Sequence, residues 1–201
     1  MLSLAIQAGG GSRRMGQDKA LLDFDGQPLI LRIVRRLTPL ADEIFVTTDR
    51  RAGYESLGIP LISDILAGRG ALGGLYTALK AARHPLVAIV ACDMPFVSAE
   101  LLAYQRDLLN AGSFDAVMPC SSAGFEPFHS IYRKSSFIPI VETALEAGLW
   151  RVEDAFSRAN VRFLTPSEIE CYDPSGLTFT NVNTPKDLEL ALRHISAPPS
   201  K

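Results

Sequence analysis

Near the N-terminus, Ala8 to Lys19 (AGGGSRRMGQDK) sets three adjacent glycines beside Arg13, Arg14 and Lys19. Glycine reaches backbone conformations with φ > 0 and lets a ligand approach the main-chain N–H groups closely. Consecutive N–H groups turned the same way form an anion nest that needs no net charge. Arg14 and Lys19 add fixed positive charge, and an arginine fork grips phosphate through paired N–H donors. Such a loop suits a triphosphate. Its other reading is a glycine turn with merely solvated cations, but glycines and cations at this density straight after a buried strand argue for an anion. Neither of the two commonest phosphate loops fits. The Walker A motif needs a Gly-Lys-Ser/Thr string, which this chain lacks, and the dinucleotide fingerprint would need glycine where Arg14 stands.

Further candidates lie far along the chain. Asp93 follows the apolar run Pro85–Cys92, and a carboxylate there suits a hard cation such as Mg²⁺. Asn181 and Asn183 form the string NVNTP, which turn and cap formation before the last helix would also explain. Ser12 has no paired base and suits a hydrogen bond to phosphate or to the loop backbone. Gly68 to Gly73 (GRGALG) is a literal G-x-G-x-x-G, with Asp93 downstream. A dinucleotide site there would make the protein an NAD-dependent oxidoreductase. However, five residues separate its first glycine from the preceding strand, and Ala8–Lys19 would be left without a role. His84, His129 and His194 lack metal-ligand spacing, so a zinc site is not expected. Trp150, Arg151 and Glu153 either border a pocket or begin a surface helix.

The elements that must position these groups alternate. Strands are predicted at Leu2–Gln7, Glu43–Thr48, Ile59–Ile62, Pro85–Cys92, Ala116–Pro119, Phe128–Tyr132 and Leu177–Thr180. Helices are predicted at Pro28–Leu37, Gly70–Ala82, Ser98–Leu109, Ser135–Ala147 and Thr184–His194. Ser98 serves as an N-cap, and Thr184 as another with Pro185 at the first helical position. The apolar run PLVAIVAC reads as a central strand buried on both faces. Arg35 and Arg36 read as the solvated face of a helix. Alternating strands and helices imply an α/β fold with a single doubly wound, mostly parallel sheet and helices on both faces. Ligands of such sheets bind at the carboxyl ends of the strands, where Ala8–Lys19, Asp93 and Asn181–Thr184 would converge. One domain over 1–195 and a frayed tail over 196–201 are expected.

Composition sets the outer bounds. The 201 residues are 47% hydrophobic and 21% charged, with a net charge of −2, which gives no electrostatic case for nucleic acid or an anionic membrane. Three scattered cysteines without C-x-x-C spacing suggest a reducing compartment. The first residues lack a basic n-region, and no apolar run is long enough to span a membrane. A cytoplasmic protein is expected.

Read together, the strings from Gln7 to Leu21, DGQPLI, SDILAGRGALGGL, ACDMPF, EPFHSIY and TNVNTPKDL resemble those of the molybdopterin nucleotidyltransferases, and molybdenum cofactor guanylyltransferase in particular. They occur in the family's order over nearly the whole chain. The resemblance implies a Rossmann-like nucleotidyltransferase fold and transfer of GMP from GTP to the phosphate of molybdopterin, with Mg²⁺ and loss of pyrophosphate. GTP and molybdopterin would be the substrates, and molybdoenzymes the acceptors of the finished cofactor. By the same resemblance Arg14, Lys19 and Asp93 are catalytic, with Asp93 on the metal. Gln7, Ala8, Gly9, Gly10, Ser12, Lys19, Thr47, Asp64, Gly73 and Asp93 bind the nucleotide. Asn181 and Asn183 orient the acceptor phosphate or complete the metal shell. The family often has an aliphatic residue where this chain has Gln7, and some members have asparagine where it has Thr47. A CTP-dependent relative acting on the same cofactor, and a protein that senses GTP without turning it over, are the neighbouring readings. Calorimetry with GTP, CTP, ATP and NAD, each with and without Mg²⁺, separates them: selective, magnesium-supported GTP binding is expected, and NAD binding would refute the reading.

Overall fold

Apolar side chains alternate along the strands, and this period of two sorts them onto two faces of one sheet. In the computed structural model, which describes residues 1–8 and 18–196, β1 (Leu2–Gln7) turns Leu2, Leu4 and Ile6 to one face and Ala5 to the other. β4 (Leu86–Ala91) does the same, with Leu86, Ala88 and Val90 opposed to Val87 and Ile89. The first face is covered by α1 (Leu29–Leu37) and α3 (Ala99–Ala111), together with Ile169 of α6 (Pro166–Tyr172) and Ala191 of α7 (Pro185–Ser196). Against the second pack α2 (Gly70–Ala81), α4 (Lys134–Glu146) and α5 (Glu153–Phe156). The expected doubly wound architecture is therefore present.

The other strands are β2 (Glu43–Thr47), β3 (Leu61–Ile62), β5 (Ala116–Ser121), β6 (Gly124–Phe125), β7 (His129–Arg133) and β8 (Val161–Leu164). The sheet runs β3-β2-β1-β4-β7-β5-β6, with β8 beside β5. β1 pairs in parallel with both β2 and β4, and β8 pairs in parallel with β5. β7 runs antiparallel to β4 and to β5. Its residues alternate in the same way as those of a parallel strand, so periodicity alone gave no sign of the reversal.

Two expectations need correction. Leu177–Thr180 forms no strand; it is a turn, closed by Thr180 N–H donating to the Leu177 carbonyl at 2.9 Å. The helix start offered as one reading of Trp150–Glu153 is present as α5, but β8 and α6, over 161–172, occupy a stretch where no element was expected. Arg35 and Arg36 are exposed on α1, as expected; in addition Arg36 donates through Nε to the Val97 carbonyl at 2.9 Å, and Arg32 to that of Pro95 at 2.9 Å. At α3 the Ser98 cap is as expected, its hydroxyl accepting from Leu101 N–H at 3.1 Å. No helix among the described residues is long and apolar enough to cross a membrane.

His129, at the start of β7, is fully buried and accepts the Ser98 N–H at its Nε2 (3.2 Å). Burial disfavours its charged form and lowers its pKa from 6.5 to about 4. Between those values the unfolded chain takes up a proton that the folded one refuses, so stability falls as the pH drops below 6.5. From pH 7.5 to pH 5 the loss from this group is about 2 kcal/mol. Urea unfolding at the two pH values measures it, and His129→Gln is expected to remove that part of the slope.

Candidate functional site

A cleft of about 740 Å³ opens at the carboxyl edge of β1, β2 and β4. The strands end level there. Ala8 N–H donates to the Thr47 carbonyl at 2.9 Å, and Cys92 N–H to the Gln7 carbonyl at 3.0 Å. Gln7, Ala8, Lys19, Thr47, Asp64, Asp93 and Asn181, all singled out in the sequence, line the cleft together. Gly9, Gly10, Ser12 and Arg14 lie outside the described residues.

Lys19 begins a short 3-10 turn capped by Asp18, whose carboxylate accepts from Ala20 N–H at 3.2 Å and from the Tyr54 hydroxyl at 3.0 Å. Tyr54 is buried, and burial first, then the Asp18 charge, drives its phenol well above its ordinary range. Asp18 is thus anchored through two residues, which fixes where Lys19 starts. The Lys19 ammonium lies 3.3 Å from Asp93 Oδ2 and also donates to Asn183 Oδ1. One amine therefore joins three segments 164 positions apart at the extremes.

Asp93 sits in the turn after β4. That turn is held from two sides, by Arg32 and Arg36 on its following carbonyls and by Val182 N–H, which donates to the Asp93 carbonyl at 2.8 Å. Asn181 and Asn183 are not the caps of α7. Thr184 and Asp187 fill that role reciprocally, with Asp187 Oδ2 accepting from Thr184 N–H (2.8 Å) and Thr184 Oγ1 from Asp187 N–H (3.2 Å). The asparagine side chains do not cap α7, but local structure uses both residues: the Asn183 N–H also donates to Asp187 Oδ2 at 3.0 Å, and the Asn181 amide donates to the Phe179 carbonyl at 3.2 Å. Asn181 lines the cleft, whereas Asn183 reaches the site through Lys19.

At the opposite wall the Thr47 hydroxyl is 1% exposed and has no hydrogen-bond partner among the described residues. Gln7 and Thr47 are register partners on the α2 side of the sheet. Burial, then the nearby Asp49 charge, raises the Asp64 pKa. Gly73 does not line the cleft: a Cβ there would meet Arg69 Cβ at 2.7 Å and the Leu66 carbonyl at 3.3 Å. Its neighbour Gly74 takes that place, pressed against Gln7. Gly68 and Gly70 also line the cleft, in left-handed conformations (φ +75° and +59°). Of the Trp150 group only Glu153 lines it, while the Trp150 carbonyl accepts from Leu72 N–H at 3.1 Å.

Asp18 and the segment Phe125–Phe128 also line the cleft; Asp18 belongs to the Ala8–Lys19 loop and Glu126–Phe128 to the string EPFHSIY, but the sequence reading gave neither a role at the site. The segment enters β7, whose start lies at the carboxyl edge only because that strand is reversed. Among the described residues no three acidic, histidine or cysteine side chains cluster as a metal site. Asp93 and the Asn181 carbonyl are hard oxygen donors. They suit a divalent cation that takes most of its ligands from phosphate and water.

A lysine, a carboxylate and amides gathered at the carboxyl edge of a doubly wound sheet mark an α/β protein that takes its ligand there. Residues 4–160 match the MobA-like NTP transferase domain family, and the chain belongs to it. A molybdenum cofactor guanylyltransferase of Pseudomonas putida is 34% identical over 190 residues, covering 93% of this chain and 95% of that protein. A probable molybdenum cofactor guanylyltransferase of Carboxydothermus hydrogenoformans is 34% identical over 97% of each. The crystal structure of molybdopterin-guanine dinucleotide biosynthesis protein A from Archaeoglobus fulgidus has a TM-score of 0.82 and 26% identity, covering 96% of this chain and 98% of that one.

A Cβ on Gly74 would fall 1.8 Å from Gln7 Nε2, the movable tip of a side chain. Gly74→Ala should therefore push Gln7 into the cleft and weaken nucleotide binding. Its folding stability should hold or rise, since alanine in a helix gains about 0.5–1 kcal/mol over glycine. Calorimetry and thermal melting would show the two effects with opposite signs, and Gln7→Ala should relieve the binding defect.

Proposed function

We propose that the protein transfers GMP from GTP to the phosphate of molybdopterin. The observation that carries this reading is the Lys19 ammonium held between Asp93 and Asn183. Family membership and the names of the relatives support it. In the reaction an oxygen of the molybdopterin phosphate attacks the α-phosphorus of GTP. The bond from that phosphorus to the bridging oxygen breaks, and pyrophosphate leaves with the electron pair.

Phosphoryl chemistry of this kind asks the protein mainly for positioning and charge neutralisation. Lys19, with Arg14, holds the triphosphate and offsets the charge that grows on the departing pyrophosphate. Asp93 holds a divalent cation, Mg²⁺ in this reading, which as a bound Lewis acid polarises phosphate oxygens. Asn181 and Asn183 orient the acceptor phosphate; Asn183 also restrains Lys19. The base lies against Gln7, Thr47 and Asp64, where the Thr47 hydroxyl supplies a hydrogen bond that no described residue takes up. A carboxylate such as Asp64 suits the N1–H and 2-amino donors of guanine. The protein works in the cytoplasm, where the finished cofactor passes to molybdoenzymes.

Asp93→Ala tests the reading directly. Turnover should fall by about two to three orders of magnitude, the scale on which loss of one charge-stabilising group is felt. The melting temperature should stay near that of the unaltered protein, because Asp93 contributes its backbone carbonyl, not its side chain, to the bond with Val182. Near-normal activity in this variant would remove Asp93 from the metal role.

A further inference from the structure

Three zones succeed one another along the cleft in the order of the strands. Thr47 and Gln7 end β2 and β1, Asp93 follows β4, and Phe125–Phe128 lie beyond, at the entry to β7. With the phosphates in the middle zone and the guanine on the β2 side, a second substrate must extend toward β7. The far zone is built around Glu126, and its backbone is fixed on every side. Glu126 N–H donates to the Pro119 carbonyl at 3.0 Å, and the Glu126 carbonyl accepts from His129 N–H at 3.1 Å and Ser130 Oγ at 2.6 Å. The buried Tyr132 hydroxyl donates to the Pro127 carbonyl at 2.8 Å, and Ala91 N–H to that of Phe128 at 3.0 Å. Ser121 Oγ anchors one carboxylate oxygen of Glu126 at 2.7 Å. Burial raises the Glu126 pKa, with Ser121 opposing the shift. Beside it Phe125 is 45% exposed, its ring held from behind by Phe163 (centroids 4.7 Å apart) and Phe156 (5.7 Å).

We propose that Glu126 reads the aminopyrimidinone edge of the acceptor's pterin, and that Phe125 offers the ring on which that heterocycle stacks. The inference rests on the molybdopterin reading above. A pterin carries an N3–H and a 2-amino group side by side, two donors that one carboxylate accepts in parallel. The same carboxylate repels the acceptor's phosphate while Lys19 attracts it, so the acceptor enters with its phosphate toward Asp93 and its ring toward Glu126. Asp64 and Glu126 then stand at opposite ends of one cleft, each facing the same pattern of donors, one on guanine and one on pterin. Guanine carries the same pair of donors, so the test separates binding of the acceptor from binding of the nucleotide.

Glu126→Gln keeps the size of the side chain but replaces one accepting oxygen with a donor. Its KM for molybdopterin should rise roughly tenfold or more, while GTP affinity by calorimetry stays within about twofold of the unaltered value. Ser121→Ala, which keeps the carboxylate but frees it, should raise the same KM by less. Glu126→Asp carries the expectation of Glu126→Gln should the latter fail to fold. An unchanged acceptor KM overturns the assignment, as does a loss of GTP affinity that matches the loss for the acceptor. Unaltered protein that forms no dinucleotide from GTP and molybdopterin overturns the underlying reading instead, and with it this one.

Discussion

The register between β1 and β4 is the constraint on which the rest depends. Leu2 lies beside Leu86 and Gln7 beside Ala91, so the two strands end level and release their chains at one edge. Leu2, Leu4 and Ile6 must face α1 and α3, while Ala5 and Gln7 face α2. A slip of one residue would exchange these faces along the whole strand, turning Leu2, Leu4 and Ile6 toward helices that pack against Ala5 and Gln7. The hydrophobic core therefore chooses where the polar site forms. The site residues have no say in it.

Once the edge is set, the candidate site groups are tied from behind as well as to one another across the cleft. Asp93 keeps its carboxylate toward the cleft because its backbone turn is tied by Arg32, Arg36 and Val182. Lys19 is placed through Asp18, which Tyr54 holds from a buried position. Thr184 and Asp187 cap α7 and leave the flanking asparagines to the site. In each case support comes from backbone carbonyls, caps or buried hydroxyls. In the proposed function such preorganisation lets the groups meet developing charge without first moving into place.

The reversed strand β7 gives the cleft its second end. In a wholly parallel sheet the segment before a strand lies on the far, amino edge, away from ligand. By running antiparallel to β4, β7 brings its own beginning to the carboxyl edge and lays Glu126–Phe128 alongside the turn of Asp93. A transferase has to hold two substrates about one phosphorus atom. A sheet with one reversed strand supplies walls on both sides of the cleft, which the proposed function uses for the nucleotide on the parallel half and for the acceptor on the mixed half.

Much of this was written locally. The near-continuous apolar runs LSLAIQ and LVAIVA specify strands buried on both faces, and Ser98 and Thr184 mark helix starts by their hydroxyls, because these signals act within a few residues. The glycines and cations before Lys19, the lone Asp93 and the paired asparagines stood out for the same reason: unusual residue types after apolar runs. The direction of β7, the choice of Gly74 over Gly73 as the cleft wall, the anchoring of Asp18 by Tyr54 and the place of Glu126 at the site were decided only in three dimensions. Strand direction leaves no trace in a period of two, and a contact between residues 36 or 74 positions apart is set by packing that no local pattern encodes. The sequence by itself determined which groups could do the chemistry; the tertiary structure decided which of them meet, because the burial of apolar faces, not the affinity of polar groups for one another, fixes the register of the strands that carry them.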